Sequence, residues 1–279
     1  MIDLHTHSTF SDGSFTPEQL AAAAAAAGLT AISLTDHDSV MGVDRFLAAC
    51  SKQKVRGIPG VEISLDFPDG TMHMLGYFID HRNPALTQHV AKLRSGREHR
   101  NREILKQVNA MGLTLTMSEV AAYAGEDNVG RLHFSQALVA RGYVRTRDEA
   151  FKKYLSKGKP GYANRLRMTP AQGVEIIRNA GGLAVLAHPF TLHLGKQSLE
   201  KLVGDLAQAG LQGIEVFCPP QSPKQVKQYS SLADKFNLVA TGGTDFHGAP
   251  MPDIKLGTGF GDLNVPDTVL DQLDARRAS

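Results

Sequence analysis

A chain of 279 residues, 42% of them hydrophobic, can bury a substantial core and suits one large α/β domain or a domain carrying an insertion. No apolar stretch reaches the roughly 18 residues that cross a membrane, and no basic start leads into an apolar secretory region; Cys50 and Cys218, far apart, support neither a disulfide framework nor a zinc-cysteine module, so a reducing cytoplasm is the expected location. The net charge of +2 is unevenly spread, with 17 Lys and Arg against 7 Asp and Glu between His81 and Met168, and 13 against 21 elsewhere. A basic block of that kind is either a solvated helical surface or an anion-attracting face.

In chain order, a first strand is expected at residues 2–4, ending in "DLHTHSTFSD". "FTPEQLAAAAAAAGL" follows with complete helix punctuation: Thr16 as N-cap, Pro17 at the first helical position, Gln19 closing a capping box and Gly28 as the stop. A second strand at 31–35 runs into "TDHD". Strands at 58–63 and 72–78 are joined only by "SLDFPDG", too short for a crossover helix, which makes this pair antiparallel. Glu62, late in one, and His73, early in the next, then lie at the same end. From there the period changes: "PALTQHVAKLRSGREHRNREILKQVNAMG", "LHFSQALVARG" and "TRDEAFKKYLSKG" read as helices with no strand between them, so residues 84–167 form a small helical insertion that coincides with the basic block. "MTPAQGVEIIRNAGG" repeats the earlier helix grammar with Thr169, Pro170, Gln172 and Gly181, and strands are expected at 183–187, 213–217 and 238–241. Seven strands alternating with helices imply a mainly parallel sheet. A histidine or acid near most strand ends suggests a barrel, built from residues 1–83 and 168–279, with its site at one rim.

The strand-end residues are His5, His7, Asp12, His37, Glu62, His73, His188, Asp245 and His247. All are nitrogen or oxygen donors. Imidazole and carboxylate without thiolate suit manganese, iron or zinc, and nine donors exceed what one ion uses, so two or three divalent ions are implied. A single strand-end histidine is more often structural, and His81, His89, His99, His133 and His193 fall outside the set. Nine such residues at one rim are another matter, since packed acids and imidazoles would be destabilising without metal.

Taken together, "DLHTHSTFSDG", "LTDHDS", "GVEIS", the histidine of "MHMLGY", "LAHP" and "GTDFH" resemble the ordered motifs of the polymerase and histidinol phosphatase (PHP) family over nearly the whole chain. The resemblance implies a distorted (β/α)7 barrel holding three metal ions, often manganese, that hydrolyses phosphate esters. It would place His5, His7, Glu62 and Asp245 on one ion, Glu62, His73 and His188 on a second, and Asp12, His37 and His247 on a third. Within the family, "GRLHFSQALVARGYV" and "AFKKYLSKGKPGY" are similar to the insertion of nucleoside 3′,5′-bisphosphate phosphatases and related 5′-to-3′ exoribonucleases.

The chemistry expected is attack on phosphorus by a hydroxide shared between ions, with Glu62 as the bridging carboxylate, Asp245 beside it, and Arg131, together with His133, holding non-bridging oxygens. Lys159 and Tyr162 in "KGKPGY" are further substrate candidates, although "KPG" reads first as a turn. Asp36 and Asp38 are read as partners of ligands or turn residues, and His193 as a candidate acid. A phosphorylated small molecule, a nucleoside bisphosphate, is the expected partner, with short 5′-phosphorylated RNA as a further substrate and no obligate protein partner; without Trp, a long base-stacking track is not expected. A histidinol phosphatase or other small phosphomonoesterase, and a non-catalytic PHP module that binds nucleotides, are the alternatives.

Overall fold

The computed structural model describes residues 1–68, 70–124, 129–164 and 167–278. Asp69, in the loop expected between the third and fourth strands, and residues 125–128 and 165–166 of the expected insertion lie outside them. All seven expected strands are present: β1 (Ile2–Asp3), β2 (Ala31–Leu34), β3 (Arg56–Leu65), β4 (Met72–Tyr77), β5 (Leu183–Leu186), β6 (Gly213–Phe217) and β7 (Val239–Gly242). They form one sheet in chain order. Pairing is parallel except around β4, which runs antiparallel to both β3 and β5, with Ser64 opposite His73. Glu62 and His73 therefore do share an end.

The sheet comes back on itself. Leu4 donates its N–H to the Gly242 carbonyl at 3.3 Å, and beyond the strands His7 donates to the Phe246 carbonyl at 2.9 Å. The result is a nearly closed seven-stranded barrel, and its short first strand follows from the histidines and loop that take over after Leu4.

Helices α1 (Pro17–Ala26) and α2 (Val43–Gln53) cover β2, α3 (Pro84–Ala110), α4 (Met117–Ala121), α5 (Arg131–Ala140) and α6 (Arg147–Ala150) follow β4, and α7 (Pro170–Asn179), α8 (Lys196–Gln208) and α9 (Pro223–Lys235) alternate with the later strands. Thr16, Thr169 and Ser222 each close a capping box ahead of a proline, so α1, α7 and α9 start by the same rule. Strand residues alternate as a pleat requires: Val61, Ile63 and Leu65 of β3 pack outward with α7 and α8, while Leu75, Tyr77, Leu183 and Val185 fill the interior. There α10 (Thr268–Ala278) joins them through Val269 and Leu273 and closes the end opposite His73.

The helical segment has its own core of Ile104, Val108, Leu115, Phe134, Leu138 and Leu155. It does not begin at residue 84 in packing terms, because Leu86, Val90 and Leu93 of α3 belong to the barrel's core. The 27-residue helix thus carries one apolar stripe into two cores and ties the insertion to the barrel. Among the described residues no helix is long and apolar enough to cross a membrane.

Candidate metal centre and substrate cavity

Six of the seven strands deliver donors at the open end. β1 leads to His5 and His7, the loop after it to Asp12, β2 to His37, β3 to Glu62, β4 to His73, β5 to His188, and β7 to Asp245 and His247. Glu62 is fully buried at the centre. Its Oε1 lies 2.8 Å from His73 Nδ1 and 2.9 Å from His188 Nε2, and its Oε2 lies 2.7 Å from His37 Nδ1, 3.4 Å from His7 Nε2 and 3.5 Å from His5 Nε2. Asp245 Oδ1 sits 3.0 Å from His7 Nε2 and 3.3 Å from His5 Nε2, while Asp12 reaches His247 Nε2 at 3.2 Å and His37 Nε2 at 3.6 Å.

Four groups have ligand atoms within 4.8 Å of one another: His7, Asp12, His37 and His247; His5, His7 and Asp245; His5, Glu62 and His188; and His37, Glu62 and His73. All nine strand-end residues are brought together. Relative to the division the family resemblance implies, His7 stands beside Asp12 as well as beside Asp245, and His188 groups with His5 while its Nε2 also lies 3.2 Å from His73 Nδ1.

The backbone bends to achieve this. Asp38, His188 and Asp245 adopt positive φ values of 50°, 23° and 55°, which non-glycine residues take only where surroundings compel it. Gly243 allows the end of β7 to press on β1: a Cβ there would lie 2.3 Å from the His5 nitrogen.

The electrostatics of the cluster suit a cation. Burial penalises the Glu62, Asp12 and Asp245 carboxylates, yet the surrounding imidazoles hold all three well below the usual range. Burial also works against a charged His247, but Asp12 and Asp245 raise it to about 10; His7 and His73, where burial dominates, fall to about 4. Without a cation, charge balance requires imidazolium at some positions. Among the described residues, His5 Nε2, Asp12 Oδ1, His37 Nδ1 and Glu62 Oε2 are buried and close to one another or to further imidazoles, yet none makes a hydrogen bond of proper geometry. Four orphaned donor atoms turned toward one space fit a metal ion, which accepts lone pairs without needing a proton.

Supporting contacts come from acids around the cluster. Asp36 accepts from the Ser8 N–H and from the Ser8 and Ser11 hydroxyls, and Asp38 accepts from the Ser64 N–H and from Arg97 at 2.6 Å. Sequence reasoning missed Glu215. Buried in β6, it lies 2.9 Å from His5 Nδ1 and accepts the His188 backbone N–H at 2.7 Å, which turns His5 Nε2 toward Glu62 and Asp245. Its only sequence signal is an acid inside the apolar run "GIEVF". Asp3 was missed for the same reason; it accepts from Thr244 and Gly257 and ties β1 to the loop bearing Asp245.

A cavity of ≈ 590 Å³ opens over His37, His73 and Asp12 and is walled by Arg97, Arg100, Arg131 and Arg167. Arg131 begins α5, stacks on the Tyr162 ring at 5.5 Å and donates to the Leu155 carbonyl at 3.3 Å. Burial and the neighbouring Arg167 guanidinium both hold its pKa below the ordinary value. The Arg167 Nε is buried without a partner. His133 lines the same cavity; its Nδ1 accepts the Gly130 N–H at 3.0 Å, which leaves the neutral ring's proton on Nε2. Tyr162 holds Arg131 from behind, Lys159 is exposed in a turn closed by its own N–H to Ser156, and His193 is exposed after the short helix Pro189–Leu192. Neither Lys159 nor His193 forms part of the cavity wall.

Residues 3–169 match the PHP domain. The chain belongs to the PHP family. Among curated relatives, this PHP chain is 35% identical to a 3′,5′-nucleoside bisphosphate phosphatase of Chromobacterium violaceum over 88% of its length and 87% of that protein's. It is also 35% identical to the 5′-3′ exoribonuclease Rnm of Salmonella typhimurium, over 91% and 87%. Its structure superposes with a TM-score of 0.86 and 33% identity on an amidohydrolase of Chromobacterium violaceum with bound sulfate and no metal, covering 99% of this chain and 96% of that one.

Proposed function

We propose that this PHP protein is a metal-dependent phosphoesterase that removes the 3′-phosphate of nucleoside 3′,5′-bisphosphates and leaves the nucleoside 5′-monophosphate. One observation carries the reading: four arginines line a cavity that also exposes Asp12, His37 and His73 of the nine-residue donor cluster. A substrate with two phosphates needs two anion sites, and here a basic wall faces a metal-binding floor. Arg131 and Arg167 repel one another at low exposure, a cost that a phosphate between them would relieve.

Manganese suits the all-nitrogen-and-oxygen donor set, held by His5, His7, Glu62 and Asp245, with His73 and His188, and with Asp12, His37 and His247. Bound divalent ions would neutralise phosphoryl oxygens and make water acidic enough to supply a nucleophile at neutral pH. Glu62, with five histidines within 3.5 Å of its two oxygens, would be a common ligand of the ions. Arg131 and Arg167 bind the 5′-phosphate in bidentate fashion, and His133 donates from Nε2 to a phosphate oxygen, which fixes the 3′-phosphate over the cluster. Water adds its oxygen to phosphorus, the P–O3′ bond breaks, and the proton ends on the 3′-hydroxyl.

Phosphate release by the manganese-loaded protein, with a chelator control, tests this on adenosine 3′,5′-bisphosphate, AMP and histidinol phosphate. Chelator-sensitive release from the bisphosphate with AMP left intact is expected. Turnover of histidinol phosphate in place of the bisphosphate would overturn the substrate.

A further inference from the structure

A second cavity of ≈ 790 Å³ adjoins the first across a wall of Asp12, Leu132, His133 and Met251, which line both. Its character is different. Of the five large hydrophobic side chains exposed among the described residues, Tyr123, Leu132, Met251 and Phe260 line this one cavity, and Phe260 stands 57% exposed. Scattered exposed apolar residues are ordinary, but four gathered beside a metal centre are not. Apart from Asp12 and His247 of the cluster, its charged lining residues are Arg147 and Asp253, which balance. The basic cavity suits a phosphate; this one suits an uncharged, flat, aromatic group.

We propose that the apolar cavity seats the second nucleoside of a short 5′-phosphorylated RNA, with Phe260 as the stacking surface for its base. The inference rests on the phosphoesterase reading above. With the 5′-phosphate on Arg131 and Arg167 and the scissile phosphate over the cluster, a following nucleotide is attached through its 5′-oxygen. That oxygen takes the place of one terminal oxygen of the bisphosphate substrate. The attached nucleoside then has room across the shared wall of Asp12 and His133, in the adjoining cavity. Hydrolysis is the same in both cases: water adds to phosphorus, the P–O3′ bond breaks, and the 3′-oxygen takes the proton. The products are a nucleoside 5′-monophosphate and a chain that begins with a 5′-phosphate. A bisphosphate leaves the apolar cavity empty, so this cavity discriminates between the two substrates without touching the chemistry.

The test compares kcat/KM for adenosine 3′,5′-bisphosphate and for 5′-phosphorylated diadenylate in the manganese-loaded wild type, Phe260→Ala and Phe260→Trp, with melting temperatures as a check on folding. Because Phe260 is exposed, losing its ring removes no core packing. Removing one stacking ring weakens base binding by roughly 10-fold or more, so Phe260→Ala should lower the diadenylate-to-bisphosphate ratio about 10-fold, and Phe260→Trp should keep it. An unchanged ratio would overturn the proposal, whether because neither substrate is affected or because both fall together, the latter placing the first base in this cavity. Wild-type turnover of the bisphosphate without the diadenylate would sink this inference alone, whereas failure on the bisphosphate would sink the reading beneath it.

Discussion

Glu215→Gln isolates the contribution of a carboxylate that touches no candidate ion. Its two oxygens are spent on buried partners, His5 Nδ1 at 2.9 Å and the His188 N–H at 2.7 Å, so it aims two members of the cluster at once. The glutamine keeps the shape but offers only one oxygen, and its amide faces one of two groups that need an acceptor. Hydrogen bonds to a charged partner contribute about 1.5–3 kcal/mol and neutral ones roughly half as much. Losing the charge and one acceptor should therefore cost about 1–3 kcal/mol in the orientation of His5. Passed on to an ion held by His5, that corresponds to ~10- to 100-fold weaker binding, the range seen when carboxylates behind ligand histidines are changed. Manganese titration against a competing chelator reads the affinity directly, and turnover at saturating manganese reads the chemistry. The expected pattern is a higher Kd with turnover largely restored at saturation. An unchanged Kd in a variant that melts normally would refute the idea that Glu215 positions His5.

Arg131→Ala should lower kcat/KM for the bisphosphate by ~10- to 100-fold with manganese content unchanged, and Arg131→Lys should rescue it only in part, because a point charge cannot grip two oxygens; steady-state kinetics with metal analysis decide, and an unaltered kcat/KM would reject the phosphate contact. For the metal-free protein, His247 is raised from 6.5 to about 10, so its stabilisation is full below pH 6.5 and lost as pH climbs toward 10. His7 and His73, lowered to about 4, act on the other side: the unfolded chain takes up their protons first as pH falls from 6.5, and stability drops toward 4. Melting temperatures of chelated protein should peak near pH 6.5, and manganese should abolish the alkaline fall; identical alkaline slopes with and without manganese would contradict this. Gly243→Ala places a Cβ 2.3 Å from the His5 backbone nitrogen, which should cost about 1–3 kcal/mol and weaken ion binding, while Gly195→Ala, with nothing within 4 Å of the new carbon, should cost no more than about 1 kcal/mol as an N-cap change and leave ion binding as it is.

The seven strands and the whole donor cluster were legible in the chain because each signal is local. A strand is an apolar run between helix stops and capping boxes, and the donors stand at strand ends in pairs such as His5 and His7 or Asp245 and His247, where a polar group has no local structural reason to be. The antiparallel turn at β4 was also readable, since seven residues cannot hold a crossover helix. What the tertiary structure decided is which distant side chains share a wall. Arg97 and Arg100 sit three apart in "GREHRNR", among several equally basic neighbours, and only the docking of α3 on the barrel turns those two toward His37 and His73. Glu215 is one acid in an apolar strand, and its pairing with His5 joins residues 210 apart in sequence. Phe260 and Tyr123 belong to segments far apart in sequence, with no shared period, so their common cavity could not be read from either. Local chemistry is written along the chain, whereas the distances between non-neighbouring side chains are set by how the barrel closes and where the inserted helices come to rest.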